Sequence, residues 1–500
     1  MDLIFSIFDK LSPLHSVVVL SFAMFVSIFF GISRKRGIKK FVVILTALSL
    51  FLAIFVNIYS FAARGSFSNY LMSFEILQVI EISIVLFGAL NILFFISIHN
   101  IENKHFVKIL ILFIFSICCV IFLIISRNFL LMFLSWCIFL ISIFQLVTSL
   151  NIRSDRSVKH ILRFFISSSL AAVLVFFSFS IIYGSTDFKN FKQIIESGVV
   201  SSPLATAGII IFIIAVYLYL FLFPFQGPYL KLIKRCEHSS MSVVWFLYFP
   251  AGIFMLAKLN EVIYYFVDSC NFYITIVFIA LAFVCMIFSN IGAVSTKSMR
   301  RILSFLFLFF IGMYLLSYAG LSAHLISKER LQWLNIANIF ILIFSFLPVY
   351  SITTSLEEST GSDSVLNIKG FLRSNTYLSI NLIIILLSWF YYIEPFISYF
   401  RKGNLSNMEV LSLIILAAAG ISIVFLVVNV FRLIVIQFFR SDEGVDVRDK
   451  NPIVFPKFYY VYISFFTIII LAAGIVGLLE ILNVDVSIFG FRITDCQFFK

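Results

Sequence analysis

The sequence predicts an all-α polytopic membrane protein with about 14 transmembrane helices. The class follows from composition, because 62% of the 500 residues are hydrophobic and only 12% are charged. The mean hydropathy is +1.11. A soluble domain carries about 25% charged residues on average, so this chain has too little polar surface for that class.

Apolar runs of about 20 residues, the length that crosses a bilayer, recur along the whole chain. The predicted spans are residues 15–33, 40–63, 77–97, 106–125, 128–150, 161–183, 205–225, 241–258, 271–294, 299–318, 332–355, 376–398, 408–439 and 457–481. The first span has no obvious cleavage site and is followed by Arg34-Lys35-Arg36, so we interpret it as a retained helix.

Positive charge predicts the orientation of the spans. The odd-numbered connections carry about twice as many Lys and Arg residues as the termini and the even-numbered connections together. By the positive-inside rule, the odd connections face the cytoplasm and both termini lie on the other side. We therefore expect an integral membrane protein, as in a bacterial inner membrane, surrounded by the lipid bilayer and without a nucleic-acid partner.

The stretch from Ala205 to Lys258 predicts a broken helix. The interrupting residues are Pro224, Gln226, Gly227 and Pro228, at the end of the seventh span and directly after it, and Pro250 in the eighth. Proline removes a backbone donor and clashes with the preceding turn, so a spanning helix that contains it must open. The break marks either a pathway or binding site, or a kink that only improves packing.

Motifs that bind nucleotides or metals are absent from the sequence. It contains no phosphate-binding GxxxxGK, no GxGxxG and no His/Glu pair at metal-ligand spacing. The seven cysteines show no paired spacing and indicate small apolar side chains. We expect no cofactor, no metal and no catalytic residue.

Ionisable side chains inside spans are the remaining candidates for an ion path, because each costs a few kcal/mol at the bilayer centre. Glu81 lies deep in the third span, where a short carboxylate cannot reach the headgroups. Arg432 lies inside the thirteenth span. The other basic candidates are nearer to span ends: Arg163, Arg300, Arg301, Arg401 and Lys402. Their long stems allow the charge to reach the headgroups. Arg163 either reaches the headgroups in this way or pairs with a buried carboxylate.

Several motifs resemble those of a known family. Leu162-Arg163-Phe164-Phe165, continuing to Ile182-Tyr183-Gly184-Ser185-Thr186, is similar to the L-K-Y-F…I-Y-G-x-T-G stretch of antiporter-like membrane subunits. Asn290-Ile291-Gly292-Ala293 and the stretch from Met299 to Gly312 are similar to the G-N-L-x-A-L…x-K-R-L-L-A-Y-S-S-I-x-H-x-G pattern of the same subunits. These subunits occur in bacterial respiratory complex I, subunit N above all, and in Mrp cation/proton antiporters. The resemblance covers roughly residues 120 to 435.

The resemblance implies a fold of two inverted five-helix repeats whose broken helices are spans 7 and 12. The first repeat would be residues 106–258 and the second residues 271–439. Residues 1–105 would then form an N-terminal three-helix region, and residues 457–481 a C-terminal transmembrane helix. Pro395, within the stretch Tyr391 to Phe396, is the breaker expected in span 12.

The resemblance also implies where a proton relay would lie. In the family, a glutamate in the fifth helix, lysines in the seventh and eighth, and a histidine in the tenth are thought to carry protons. The matching positions here are Cys137, Tyr217 or Tyr219, Ala251 and Phe310. Near the twelfth helix, a base survives at Arg401 or Lys402. Arginine keeps its proton and tyrosine titrates near pH 10, so neither replaces a lysine tuned toward neutrality.

Two functions remain open at this point. In the first, the chain is a divergent antiporter-like subunit of a complex I or Mrp-type assembly, with other membrane subunits as partners and its relay lost or rerouted through Glu81, tyrosines and water. A complex I subunit would belong to a proton-translocating NADH:quinone oxidoreductase of the respiratory chain without carrying its redox chemistry. In the second, it is an independent carrier, such as a lipid or polysaccharide flippase. The flippase requires deep basic residues in both halves, which are not apparent, so the sequence favours the subunit.

Overall fold

A computed structural model describes residues 14–32, 38–68, 72–98, 103–151, 155–186, 203–263, 268–322, 328–390, 410–438, 457–481, 487–488 and 491–492. These ranges are almost entirely helical, which confirms the predicted all-α class. Within them, nine helices are long and apolar enough to cross a membrane, and four shorter apolar helices accompany them. Each predicted span contains a helix, while the count of 14 membrane crossings stays a prediction.

The first compact unit is Met1–Ile274. Its helices are α1 (His15–Ile32), α2 (Ile38–Arg64), α3 (Ile76–Ile98), α4 (Asn103–Ile125), α5 (Phe129–Leu150), α6 (Asp155–Thr186), α7 (Pro203–Tyr219), α8 (Gly227–Arg235), α9 (His238–Val243) and α10 (Phe249–Ile263). A π-helical turn, Val244–Tyr248, joins α9 to α10. The two-residue strands β1 (Phe67–Ser68) and β2 (Ser73–Phe74) pair antiparallel.

The second compact unit is Thr275–Lys500. Its helices are α11 (Asp268–Ser295, which begins in the first unit), α12 (Met299–Ser322), α13 (Lys328–Thr360), α14 (Phe371–Ser374), α15 (Thr376–Ser388), α16 (Val410–Ile436) and α17 (Lys457–Ile481). A short 3-10 helix spans Val365–Ile368, and β3 (Ser487–Ile488) pairs antiparallel with β4 (Phe491–Arg492). The boundary between the units lies near the one that the predicted repeats imply. The repeats themselves stay a prediction.

The seventh span is broken, as predicted. α7 ends at Tyr219 and α8 begins at Gly227, and turns connect the two helices. The break starts upstream of Pro224, because Phe221 already has φ = 51° and cannot continue a right-handed helix. Pro228 lies in the first turn of α8, where its missing N–H leaves no helical hydrogen bond unmade. The predicted break in span 12, from Tyr391 to Phe396, lies outside the described residues.

Burial separates the inner helices from the peripheral ones. In the apolar segment of α12 every residue is buried, whereas in the apolar segment of α2 only 33% of the residues are buried. The exposed side chains of the peripheral helices are large and apolar, as Phe22 and Phe55 illustrate at 69% and 67% exposure. In a soluble protein the exposed helix faces are polar, whereas exposed apolar faces such as these are typical of helices that face hydrocarbon.

An ion pair fastens the start of α12 to the end of α13. Arg300 Nε and Nη2 each donate to the Glu357 carboxylate at 2.7 Å, in a two-pronged pair that is 13% and 20% exposed. Asp363 accepts from the Arg300 backbone N–H at 3.0 Å and from the Ser298 hydroxyl. α13 continues to Thr360, past the predicted end of its span at residue 355, so that Glu357 lies within the helix.

We predict that Arg300→Ala lowers the free energy of unfolding by about 2 kcal/mol or more, because it leaves Glu357 as a mostly buried, unpaired carboxylate. Arg301→Ala is the matched control, since the Arg301 Nε has no partner among the described residues. Denaturant unfolding in detergent measures both. Equal losses for the two variants would contradict a specific Arg300–Glu357 contribution.

Candidate functional site

Two tyrosines, Tyr219 and Tyr248, pack together at the C-terminal end of α7. The rings of Tyr219 and Tyr248 stack with their centroids 4.2 Å apart, and both side chains are completely buried. The Tyr219 hydroxyl donates to the Tyr248 carbonyl oxygen at 2.9 Å, and the Tyr248 hydroxyl donates to the Tyr219 carbonyl oxygen at 2.9 Å. A helix end buried away from water needs partners for its last carbonyls. The Tyr248 hydroxyl is the partner of one of these carbonyls, that of Tyr219.

Further rings surround this pair, and together they form what we call the tyrosine cluster: Tyr219, Tyr248, Trp136, Phe164 and Phe221. Trp136 meets Tyr219 edge-on at 4.9 Å between ring centroids. Phe164 lies 4.8 Å from Tyr248 and stacks on Phe221 at 4.6 Å. Aromatic rings packed at these distances leave no room for a file of water molecules between them.

Local backbone geometry brings the tyrosines together. The π-helical turn adds a residue to the α9–α10 helix and ends at Tyr248, which aims this side chain at the end of α7. Gly252 permits the close approach, because a Cβ there would lie 2.6 Å from Tyr219 Cε1 and from Leu220 Cδ2. Ser168 on α6 completes the contacts with a hydroxyl 2.8 Å from that of Tyr248.

The other relay-matching positions of the first unit hold no exchangeable carboxylate or amine. Tyr217 is 2% exposed, and its hydroxyl donates to the Phe223 carbonyl oxygen in the break at 2.5 Å. Cys137 is half-buried on α5, and Ala251 is completely buried directly after Pro250. Each position is therefore occupied by a packing or backbone-capping side chain.

A second aromatic group lies in the second unit, around the position that the motif resemblance assigns to the family's histidine. We call Phe310, Phe346 and Trp389 the tryptophan cluster. Trp389 stacks on Phe346 at 4.5 Å, and Phe310 meets both rings edge-on at 5.5 and 5.6 Å. The three side chains are at most 1% exposed, and the indole Nε1 of Trp389 donates to the Ser345 hydroxyl at 3.0 Å. The indole N–H of this cluster therefore has a hydrogen-bond partner within the protein.

The predicted ion-path residues differ in their surroundings. Glu81 is half-buried on α3, and Arg163 is exposed near the start of α6. Arg163 forms no ion pair with any residue that the structure describes, which supports the interpretation that its charge reaches the headgroups. Arg300 is held by Glu357, and Arg301 beside it is half-buried. Arg401 and Lys402 lie outside the described residues.

Sequence reasoning missed a polar contact region between α11 and α16. Arg432 donates to the carbonyl oxygens of Val294 at 2.8 Å, Ala293 at 3.3 Å and Thr296 at 3.4 Å, at the C-terminal end of α11. A cation at a helix C-terminus is favoured by the unpaired carbonyls there. Asn429, one turn earlier on α16, donates to the side-chain oxygen of Asn290 at 3.1 Å. The only signal in the sequence was an arginine inside an apolar span.

The described residues contain no group of three or more His, Cys, Asp or Glu side chains that could hold a metal ion.

Comparison with known proteins identifies the family. Residues 126–432 match the profile of the family described as "NADH:quinone oxidoreductase/Mrp antiporter, TM". The chain belongs to this family. It is also 25% identical over 309 residues to NADH-quinone oxidoreductase subunit N 2 of Acidobacterium capsulatum. That match spans 60% of this chain and 60% of the relative's length.

Solved structures of the same fold cover nearly the whole chain. A chain of respiratory complex I from Thermus thermophilus with bound aureothin aligns with a TM-score of 0.71 at 14% identity, over 94% of this chain and 98% of that one. An archaeal membrane-bound sulfane sulfur reductase gives 0.73 at 14%, over 95% and 96%. The Mrp complex of Dietzia sp. DQ12-45-1b gives 0.73 at 12%, over 95% of both. The resemblance read from the motifs is confirmed, and the flippase alternative gains no support.

We predict that Gly252→Ala destabilises the protein by about 1–3 kcal/mol, because the added methyl group collides with the buried Tyr219 ring, whose hydroxyl is bonded to the Tyr248 carbonyl. Gly184→Ala is the control: a Cβ there meets nothing within 4 Å, so the change should be neutral or stabilising by up to about 1 kcal/mol. Thermal unfolding in detergent compares the two. A neutral Gly252→Ala would show that the tyrosine pair can shift freely.

Proposed function

We propose that this divergent antiporter-like subunit conducts protons poorly by itself and acts mainly as a structural or spacer subunit in a proton- or cation-translocating membrane complex. The observation that carries the proposal is the pair of aromatic clusters at the relay-matching positions. Tyr219 and Tyr248 lie in one of them, and Phe310 lies in the other.

A proton path requires titratable groups and water that bridges them. Protons move along groups that gain and lose a proton near neutral pH and are close enough for water to bridge them. A buried tyrosine bonded to backbone carbonyls does not exchange its proton in that range, and Phe310 and Ala251 have none to exchange. Packed rings also exclude the bridging water, because a buried water needs two to four polar partners. The interior of each unit thus stabilises the fold and opposes proton transfer.

The proposed partners are other membrane subunits. The structures that share this fold come from respiratory complex I, an Mrp complex and an archaeal respiratory membrane complex, the sulfane sulfur reductase. A complex I-like assembly and an Mrp-like assembly are both compatible with the family. In the former, this chain would carry none of the redox chemistry. We place the protein in a bacterial inner membrane with both termini on the non-cytoplasmic side, on the charge bias of the connections.

A rerouted path is the second candidate function. Glu81 is a carboxylate inside the third predicted span, and it is half-buried on α3. Since Glu81 lies outside the matched residues 126–432, such a path would be a property of this chain rather than one inherited with the family's relay.

The test is dissipation of a pH gradient in vesicles that carry the purified chain. We expect a leak close to that of empty vesicles, and the same leak for Glu81→Gln, because neither cluster passes protons. A protonophore added at the end verifies that the gradient was present. Robust flux that disappears in Glu81→Gln would contradict the spacer function and establish the rerouted path.

A further inference from the structure

A basic patch lies at one end of the first unit and combines residues of α6 and α8. α6 contributes Lys159 and Arg163, and α8 contributes Lys231, Lys234 and Arg235. All five side chains are exposed, and none forms an ion pair with a residue that the structure describes. We call these five residues the basic patch. Clustered cations that lack carboxylate partners repel one another, so the patch favours an anionic occupant.

The patch is compact rather than scattered along the two helices. α6 and α8 pack directly against each other, and the charges of Arg163, Arg235, Lys231 and Lys159 all act on the imidazole of His160. α8 is short and strongly amphipathic, since its buried face holds Tyr229, Leu232 and Ile233 while its cations point outward. The two helices therefore present their cations to the same small region.

An apolar stripe continues from the patch along α6. Lys159, Arg163, Ile166, Leu170, Val173 and Phe177 follow one another at spacings of three or four residues, which places them on one helix face. The four apolar members are 53–63% exposed. From Arg163 to Phe177 the helix rises about 21 Å at ~1.5 Å per residue, more than the ~15 Å of hydrocarbon in one leaflet.

We propose that this surface is a binding site for an anionic phospholipid, with the phosphate on the basic patch and an acyl chain along the α6 stripe. The proposal commits to a lipid because a soluble anion would use only the charged end. A folded acidic partner would not require a polar-to-apolar boundary at the depth of a headgroup. Basic pockets at the ends of membrane helices are suited to phosphate headgroups by charge and by hydrogen-bond donors.

The site is independent of proton conduction. It lies on the outer face of α6, whereas Phe164 and Ser168 on the inner face of the same helix contact the tyrosine cluster. A bound lipid would nonetheless stabilise the helix that supports that cluster, because a ligand that binds only the folded state adds to its stability.

The test uses the full purified chain in detergent with a fluorescent phosphatidylglycerol probe, displaced by unlabelled phosphatidylglycerol, phosphatidylcholine or inorganic phosphate. We expect displacement by phosphatidylglycerol only. Displacement by phosphatidylcholine at equal concentration would overturn the charge requirement. Displacement by inorganic phosphate as effective as that by the lipid would overturn the contribution of the acyl chain.

Variants locate the site. The triple variant Lys159→Gln/Arg163→Gln/Lys231→Gln should bind the probe at least about tenfold more weakly. The matched control Lys40→Gln/Lys108→Gln/Lys297→Gln removes three other exposed cations and should bind within about twofold of the unmodified chain. The charge-preserving variant Lys159→Arg/Arg163→Lys/Lys231→Arg should also retain binding. It separates loss of charge from loss of fold.

Two results would contradict the proposal. Equal weakening in both triple variants would show general attraction of the lipid to a basic protein. Unchanged lipid binding in the first triple variant, combined with loss of co-purifying membrane subunits, would assign the basic patch to an acidic protein partner.

Discussion

The broken seventh span sets the constraint on which the first unit depends. In a bilayer, backbone groups freed by a break cannot turn to water, so protein must supply their partners. Here two tyrosine hydroxyls do so, since Tyr217 donates to the Phe223 carbonyl and Tyr248 donates to the Tyr219 carbonyl. The Tyr219 hydroxyl in turn donates to the Tyr248 carbonyl in the π-helical turn. These hydrogen bonds link α7 to the π-helical turn and to the connection between α7 and α8. Tyrosine combines an apolar ring with one polar group, which suits an interior with few polar partners.

This arrangement explains why the fold survives without the charged relay that the family resemblance implies. A lysine at the end of α7 would bring a charge that needs solvation or a carboxylate, at a cost of several kcal/mol if neither is present. Tyr219 avoids the charge, and the carbonyl at the helix end is capped by the Tyr248 hydroxyl. The tryptophan cluster has the same character, since Phe310 packs on Phe346 and Trp389 where a titratable ring would need polar neighbours. The architecture is retained, and its interior has become apolar.

Sequence reasoning reached the membrane class, the broken seventh span and the family, because each rests on local signals. Hydropathy acts over about 20 residues, proline acts on its own turn, and the motifs are contiguous. Contacts between distant positions were beyond its reach. Arg300 was identified as an ionisable residue in a span, but its partner Glu357 is 57 residues away. Arg432 meets α11 at a separation of 138 residues. The π-helical turn contains no proline or glycine within Val244–Tyr248, so the sequence carries no local signal that predicts it.

The central claim is that the interior of each unit is dry at the relay-matching positions. Ordered water can be located directly in a high-resolution cryo-EM map of the chain within its membrane complex. We expect no continuous file of water molecules through the rings of the tyrosine cluster or through those of the tryptophan cluster. A continuous file of water molecules that reaches Tyr219 from one membrane face and leaves toward the other would contradict it.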